Sequence, residues 1–174
     1  CYGCHVVPNE KLVNVGGHTA GSAFELVSWS QGEVRHNLWY NNGSQNAFAG
    51  TKRRRMMYLI GLSVELETSL RAIAVATKFE DYAIRMAHRA NQARRALKAA
   101  AKRLPHIPEI ASIVRHAHSA GLKLANKKAL YAAADKVAAE AKALADRYDG
   151  GKLAGIDELI PNKSKYVGQQ TASN

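Results

Sequence analysis

The chain has 174 residues, 47% of them apolar, a formal charge of +11 and two cysteines. That length suits one compact domain with a smaller attached segment, and the apolar share is enough to bury a core. No run of about 20 uncharged apolar residues occurs, which argues against a membrane-spanning helix, and two cysteines are too few for a disulfide-stapled scaffold.

In chain order, the first five residues already carry chemistry. Cys1-Tyr2-Gly3-Cys4-His5 has the spacing of covalent haem attachment: each thiol can add to one vinyl group, and the adjacent histidine reaches the iron. Both cysteines of the chain are spent here. A thioredoxin-like redox pair has the same spacing but follows a strand in a βαβ unit, which this sequence does not resemble. A structural zinc site needs a second ligand pair, and no further cysteine exists. The motif therefore predicts haem c as cofactor, with Cys1, Cys4 and His5 holding it. Such a protein is assembled after export, so a periplasmic or extracellular location and further sequence upstream of Cys1 are expected. In that setting the basic excess suits acidic protein partners better than nucleic acid.

Residues 6–50 are punctuated by Pro8, Gly16, Gly17, Gly21, Gly32, Asn41, Asn42, Gly43 and Gly50. They predict a loop-rich segment with one or two helical turns, over residues 23–30. Its apolar residues, among them Val6, Leu12, Val13, Val15, Phe24, Val27, Trp29, Leu38 and Trp39, either wall the cofactor or dock the segment on the rest of the chain. Residues 1–50 thus read as a haem-binding segment.

Residues 51–149 turn helical. Apolar stripes at alternating three and four spacing run Leu59, Leu62, Leu66, Ser69, Ile73, Ala76 and then Phe79, Tyr82, Met86, Ala90, Ala93, Leu97. Thr77-Lys78-Phe79-Glu80 has the form of a capping box between them, although a continuous helix also fits. Pro105 and Pro108 break the pattern, with Pro108 suited to open a helix whose inward residues are Ile110, Val114, Ala117 and Gly121. The last stripe, Leu130, Ala134, Val137, Ala141, Leu144 and Tyr148, is out of frame with the third and predicts a break near Asn126. About four amphipathic helices with short connections predict a mainly α, antiparallel bundle. Residues 150–174 read as a C-terminal tail with one helical turn. Glu65, Glu67, Glu80 and Asp81 read as solvated helix faces, and Lys52-Arg53-Arg54-Arg55 as a basic face that guides an acidic redox partner.

The second axial position has two main candidates. His18 lies in Gly16-Gly17-His18-Thr19-Ala20-Gly21, where glycine lets backbone pass close to a flat cofactor, and His36 lies beside aromatic residues. Among the other histidines, His88, His106 and His116 read as surface or turn residues, and His118 sits at the edge of its stripe, where burial is conceivable. The methionines read as core packing.

The runs Cys1-Tyr2-Gly3-Cys4-His5, Pro8-Asn9-Glu10, Gly16-Gly17-His18 and Ser28-Trp29-Ser30-Gln31-Gly32-Glu33-Val34-Arg35-His36-Asn37 resemble the multihaem c-type cytochromes related to nitrification-type tetrahaem electron carriers. The resemblance covers roughly the first quarter of the chain. It implies bis-histidine iron with His18 or His36 as the second ligand, and electron transfer outside the cytoplasm. A single attachment motif departs from the family, so either further haems lie upstream or this is a single-haem member with a helical extension. Electron transfer without an enzymatic reaction is thus the expected function. The alternative is a haem protein with an open distal site that binds or senses a small ligand. Alanine-rich amphipathic helices further predict a homo-oligomer or a subunit of a larger redox complex.

Overall fold

A computed structural model describes residues 1–32 and 47–168. Among these residues the structure has seven α-helices and no strand, so the protein is mainly α. Three short helices, α1 (Tyr2–His5), α2 (Glu10–Asn14) and α3 (Leu26–Ser30), precede four longer ones, α4 (Thr51–Val75), α5 (Asp81–Arg103), α6 (Pro108–His118) and α7 (Lys127–Arg147). Helix α4 packs against α5 and α7, and α6 packs against the same two. No helix among the described residues is long and apolar enough to cross a membrane.

The 3.6-residue stripes account for these contacts. Leu59, Leu66, Ser69 and Ile73 of α4, Tyr82, Met86, Ala90, Ala93 and Leu97 of α5, Ile110 and Ala117 of α6, and Leu130, Ala134, Val137, Ala141 and Leu144 of α7 are all buried. Met57 and Met86 are buried among them, as core methionines. Short alanine side chains on the buried faces of α5 and α7 leave little to hold neighbouring backbones apart.

The connections depart from expectation in instructive ways. The stretch 77–80 does separate α4 from α5, but not through a capping box. Glu80 is the N-cap residue of α5 and makes no side-chain cap bond. The amides of Thr77 and Lys78 donate instead to Glu10 of α2, and the amide of Tyr82 to Asn14, each at 3.0 Å. Phe79, expected on the inward stripe, is 79% exposed because the chain is not helical there. Pro108 opens α6 as predicted. That helix ends at His118, before Gly121, which is exposed. The buried Arg94 of α5 donates to the carbonyls of Ala117 and Ala120 at this end, satisfying acceptors that a helix C-terminus leaves open.

The flanking segments are built into the core. Val6, Val13 and Ala20 belong to the cluster formed by Leu66, Leu70, Tyr82 and Val137, while Val27 and Ala49 join that of Leu59, Leu104, Ile110 and Leu144. The described part of the segment read as a tail is packed as well. A 3-10 stretch, Gly151–Leu159, buries Leu153 and Ile156 completely, and Tyr166 follows them into the same cluster.

The basic run at the start of α4 holds this C-terminal segment. Lys52 pairs with Asp149 at 2.9 Å, Arg54 donates to the Tyr166 hydroxyl, and Arg55 makes two 2.6 Å bonds to Asp157 and one to the Gly150 carbonyl. Lys52, Arg54 and Arg55 therefore have partners within their own chain.

Candidate functional site

The Cys-x-x-Cys-His motif folds as a single helical turn. The amides of Cys4 and His5 both donate to the carbonyl of Cys1, at 3.2 and 2.9 Å, so the three motif residues stand at relative positions i, i+3 and i+4 of one turn. Both cysteines are exposed thiols and no disulfide joins them. Buried Val6 fixes the end of the turn in the core, and Val7, in the left-handed region at φ 54°, redirects the chain towards α2.

The glycines before His18 shape the end of α2. Helix α2 is capped by Asn9, whose side chain accepts from Leu12. At its far end a Cβ on Gly16 would lie 2.7 Å from the Leu12 carbonyl oxygen, and Gly17 takes φ 69°, which allows the His18 amide to donate to that same carbonyl at 3.1 Å. His18 is thereby placed against α2. Its Nδ1 lies 2.8 Å from the Thr19 carbonyl oxygen, which can only accept, so Nδ1 is the donor of this bond. A neutral imidazole that donates through Nδ1 can ligate a metal through Nε2.

Cys4 and His18 line one open groove of about 400 Å³, together with Gly3, Val7, Pro8, Asn9 and Leu12. A neighbouring depression shares Asn9 and Leu12 and adds Lys11, Val15 and Gly16. Leu12 and Val15 are 42% and 76% exposed, so apolar surface lies uncovered beside a thiol and an imidazole.

His5 does not line that groove. Its ring stacks on Phe24, with centroids 4.3 Å apart and planes at 15°, and meets the edge of Trp29 at 4.8 Å. Tyr2 packs edge-on against Phe24. Burial, with Glu65 and Glu25 near, pushes the Tyr2 phenol far above its ordinary value and keeps it neutral. The Nδ1 of His5 is 3.3 Å from the Ser22 hydroxyl. The chain passes tightly here, for a Cβ on Gly21, at φ 79°, would lie 2.6 Å from the His5 carbonyl oxygen.

The structure thus gathers Cys4 and His18 at one groove, with Cys1 and His5 on the same turn as Cys4. His36, Leu38 and Trp39 lie outside the described residues. Among the described residues no group of three or more His, Cys, Asp or Glu side chains is placed to hold a bare metal ion. A haem iron asks less of the protein, because the porphyrin supplies four of its ligands and only axial atoms are needed. The remaining histidines are peripheral: His88 and His106 are exposed, and His118 is exposed with its ring bonded to the Val114 carbonyl, which removes the buried placement considered for it.

Sequence reasoning missed Glu65. Read as a solvated face, it is 9% exposed and paired with Arg89 at 2.6 Å, each side chain being 12% accessible. The signal was present: Glu65 lies three residues after Leu62 and four before Ser69, within the buried stripe. The chain matches no protein-family model, no curated protein and no solved structure.

Proposed function

We propose that this chain is a c-type cytochrome in which a single haem c, anchored by Cys1 and Cys4 and ligated by His5, transfers electrons outside the cytoplasm. The observation that carries the reading is a Cys-x-x-Cys-His turn with both thiols exposed, beside a groove that His18 lines. Each cysteine would add its S–H across one vinyl group, forming a thioether bond with the thiol proton going to the other vinyl carbon. Bound there, the haem would supply a one-electron iron couple.

The chain's own residues do the rest. His18 or His36 would hold the iron together with His5. Leu12 and Val15 give the plate an apolar surface, and the aromatic cluster of Phe24 and Trp29 restrains the His5 ring. The long helices form an up-and-down antiparallel bundle that acts as scaffold. The net charge of +11 favours an acidic redox partner. Exposed Val75, Phe79 and Ile84, around the α4–α5 connection, favour assembly with further copies or with a larger redox complex.

Expression in an oxidising compartment together with a cytochrome c maturation system tests the proposal. Haem should stay with the chain on a denaturing gel and be lost in Cys1→Ser/Cys4→Ser. A chain that emerges without covalent haem overturns it. Ligand class is read from the same sample: a six-coordinate, low-spin spectrum that carbon monoxide leaves unchanged supports bis-histidine electron transfer, and ready carbon monoxide binding supports a small-ligand protein.

A further inference from the structure

The Glu65–Arg89 ion pair is placed where a bundle would gain nothing from it as a salt bridge. Both side chains are largely withdrawn from water, and burying an ion pair costs about as much desolvation as the attraction returns. Arg89 is nevertheless fully engaged. Its Nε and Nη2 donate to the two Glu65 oxygens at 2.6 and 3.0 Å, and its Nη1 donates to the Ser22 carbonyl at 2.7 Å. Ser22 is the residue that clasps His5 twice: its amide donates to the His5 carbonyl at 3.0 Å, and its hydroxyl lies 3.3 Å from His5 Nδ1. Gly21 brings Ser22 this close, since any Cβ at that position would collide with the His5 and Val6 carbonyls.

We propose that Glu65 and Arg89 are positioning residues for His5, acting through Ser22, so that the long helices α4 and α5 set the orientation and hydrogen bonding of the proximal imidazole. The inference rests on the haem reading for its redox consequence, but not for its geometry. With Nε2 engaged on a metal, Nδ1 carries the proton and donates to the Ser22 hydroxyl, which raises the basicity of the imidazole and favours the oxidised iron. The bidentate Glu65–Arg89 pair holds Arg89 in one rotamer, Arg89 holds the Ser22 backbone, and Ser22 holds the ring. The Tyr2 hydroxyl and the Leu26 side chain pack directly on Gly61, one helical turn before Glu65, so the same stretch of α4 also seats the motif.

The test uses the full chain with Ser22→Ala, Ser22→Thr and the double variant Glu65→Gln/Arg89→Gln, which removes the ion pair without changing net charge. In the haem-loaded protein, Ser22→Ala and the double variant should both raise the midpoint potential at unchanged haem content, while Ser22→Thr, which keeps the hydroxyl, should stay near the parent. Combining Ser22→Ala with the double variant should add little beyond the larger of the two shifts, because all three residues act through one bond. In the haem-free full chain, nuclear Overhauser contacts between the His5 ring and Phe24 and Trp29 should weaken in the same variants. An unshifted potential in Ser22→Ala or in the double variant, with haem content intact, overturns the proposal. Failure of the parent chain to take up haem overturns the functional reading alone, and the haem-free ring contacts then decide the positioning role: if they are unchanged in the double variant, the proposal falls.

Discussion

Glu10 holds Thr77: its carboxylate accepts from the Thr77 amide and hydroxyl, all at 3.0 Å, and from the Lys78 amide at the same distance. Four residues along α2, Asn14 accepts from the Tyr82 amide. One short helix of the N-terminal segment thus satisfies the loose amides at the turn between the two long helices, work that a local capping box would otherwise have done.

This contact makes acid stability dependent on Glu10. Partial desolvation opposes its ionisation, but the bonds from the Thr77 and Lys78 amides and the Thr77 hydroxyl outweigh that effect and lower its pKa below the ordinary value of 4.5. A lowered folded-state pKa contributes stability that is present above the unfolded value and lost as pH falls through the folded one. Glu10→Gln should therefore lower the melting temperature at neutral pH, by an amount equivalent to about 1 kcal/mol. The difference from the parent should shrink as pH drops below the ordinary carboxylate value. Thermal melts of both proteins from neutral to acid pH measure it, and a pH-independent difference would refute the linkage.

Arg94 presents a different balance. Burial lowers its pKa, yet it remains the donor to two α6 carbonyls. Arg94→Met keeps the apolar stem and removes the donors, leaving the end of α6 short of partners. Urea unfolding should show a loss of about 1–3 kcal/mol, with hydrogen exchange rising first at residues 117–120.

Gly150 adopts φ 94°, and a Cβ there would lie 2.1 Å from the Lys52 carbonyl oxygen. Gly150→Ala meets both the backbone penalty and the collision, so a loss above about 1 kcal/mol is expected. Limited proteolysis should then cut within 151–168 faster than in the parent.

A fragment of residues 51–149 should not reproduce the native bundle. It lacks Val6, Val13 and Val27 on one side and Leu153 and Ile156 on the other, all buried in the two core clusters. Circular dichroism should show helix with a broad, low-temperature melt, and a sharp native-like transition would show that the flanking segments are dispensable.

The long helices were legible because their stripes have a helical period, and Pro108 marks a start with a physical reason behind it. The helical turn at Tyr2–His5 was not among the expectations, which placed helix in this segment over residues 23–30. What could not be read were relationships across distance. Nothing near Thr77 in sequence announces Glu10, nothing in the basic run announces Asp149 and Asp157, and a charged residue such as Glu65 looks solvated until Arg89 and Ser22 are brought to it. Periodicity reports which face is buried, but it does not name the partner of a polar side chain on that face.

The bonds from Arg55 to Asp157 join residues 102 positions apart in the chain. Closing so long a loop is entropically costly and returns little until α4 and the last core residues are already in place, so this clasp belongs to the late side of the folding barrier. Contacts formed after the barrier govern how fast a protein opens rather than how fast it folds. Arg55→Ala should consequently leave the refolding rate nearly unchanged and speed unfolding, so that the basic run acts as a kinetic latch on the whole molecule.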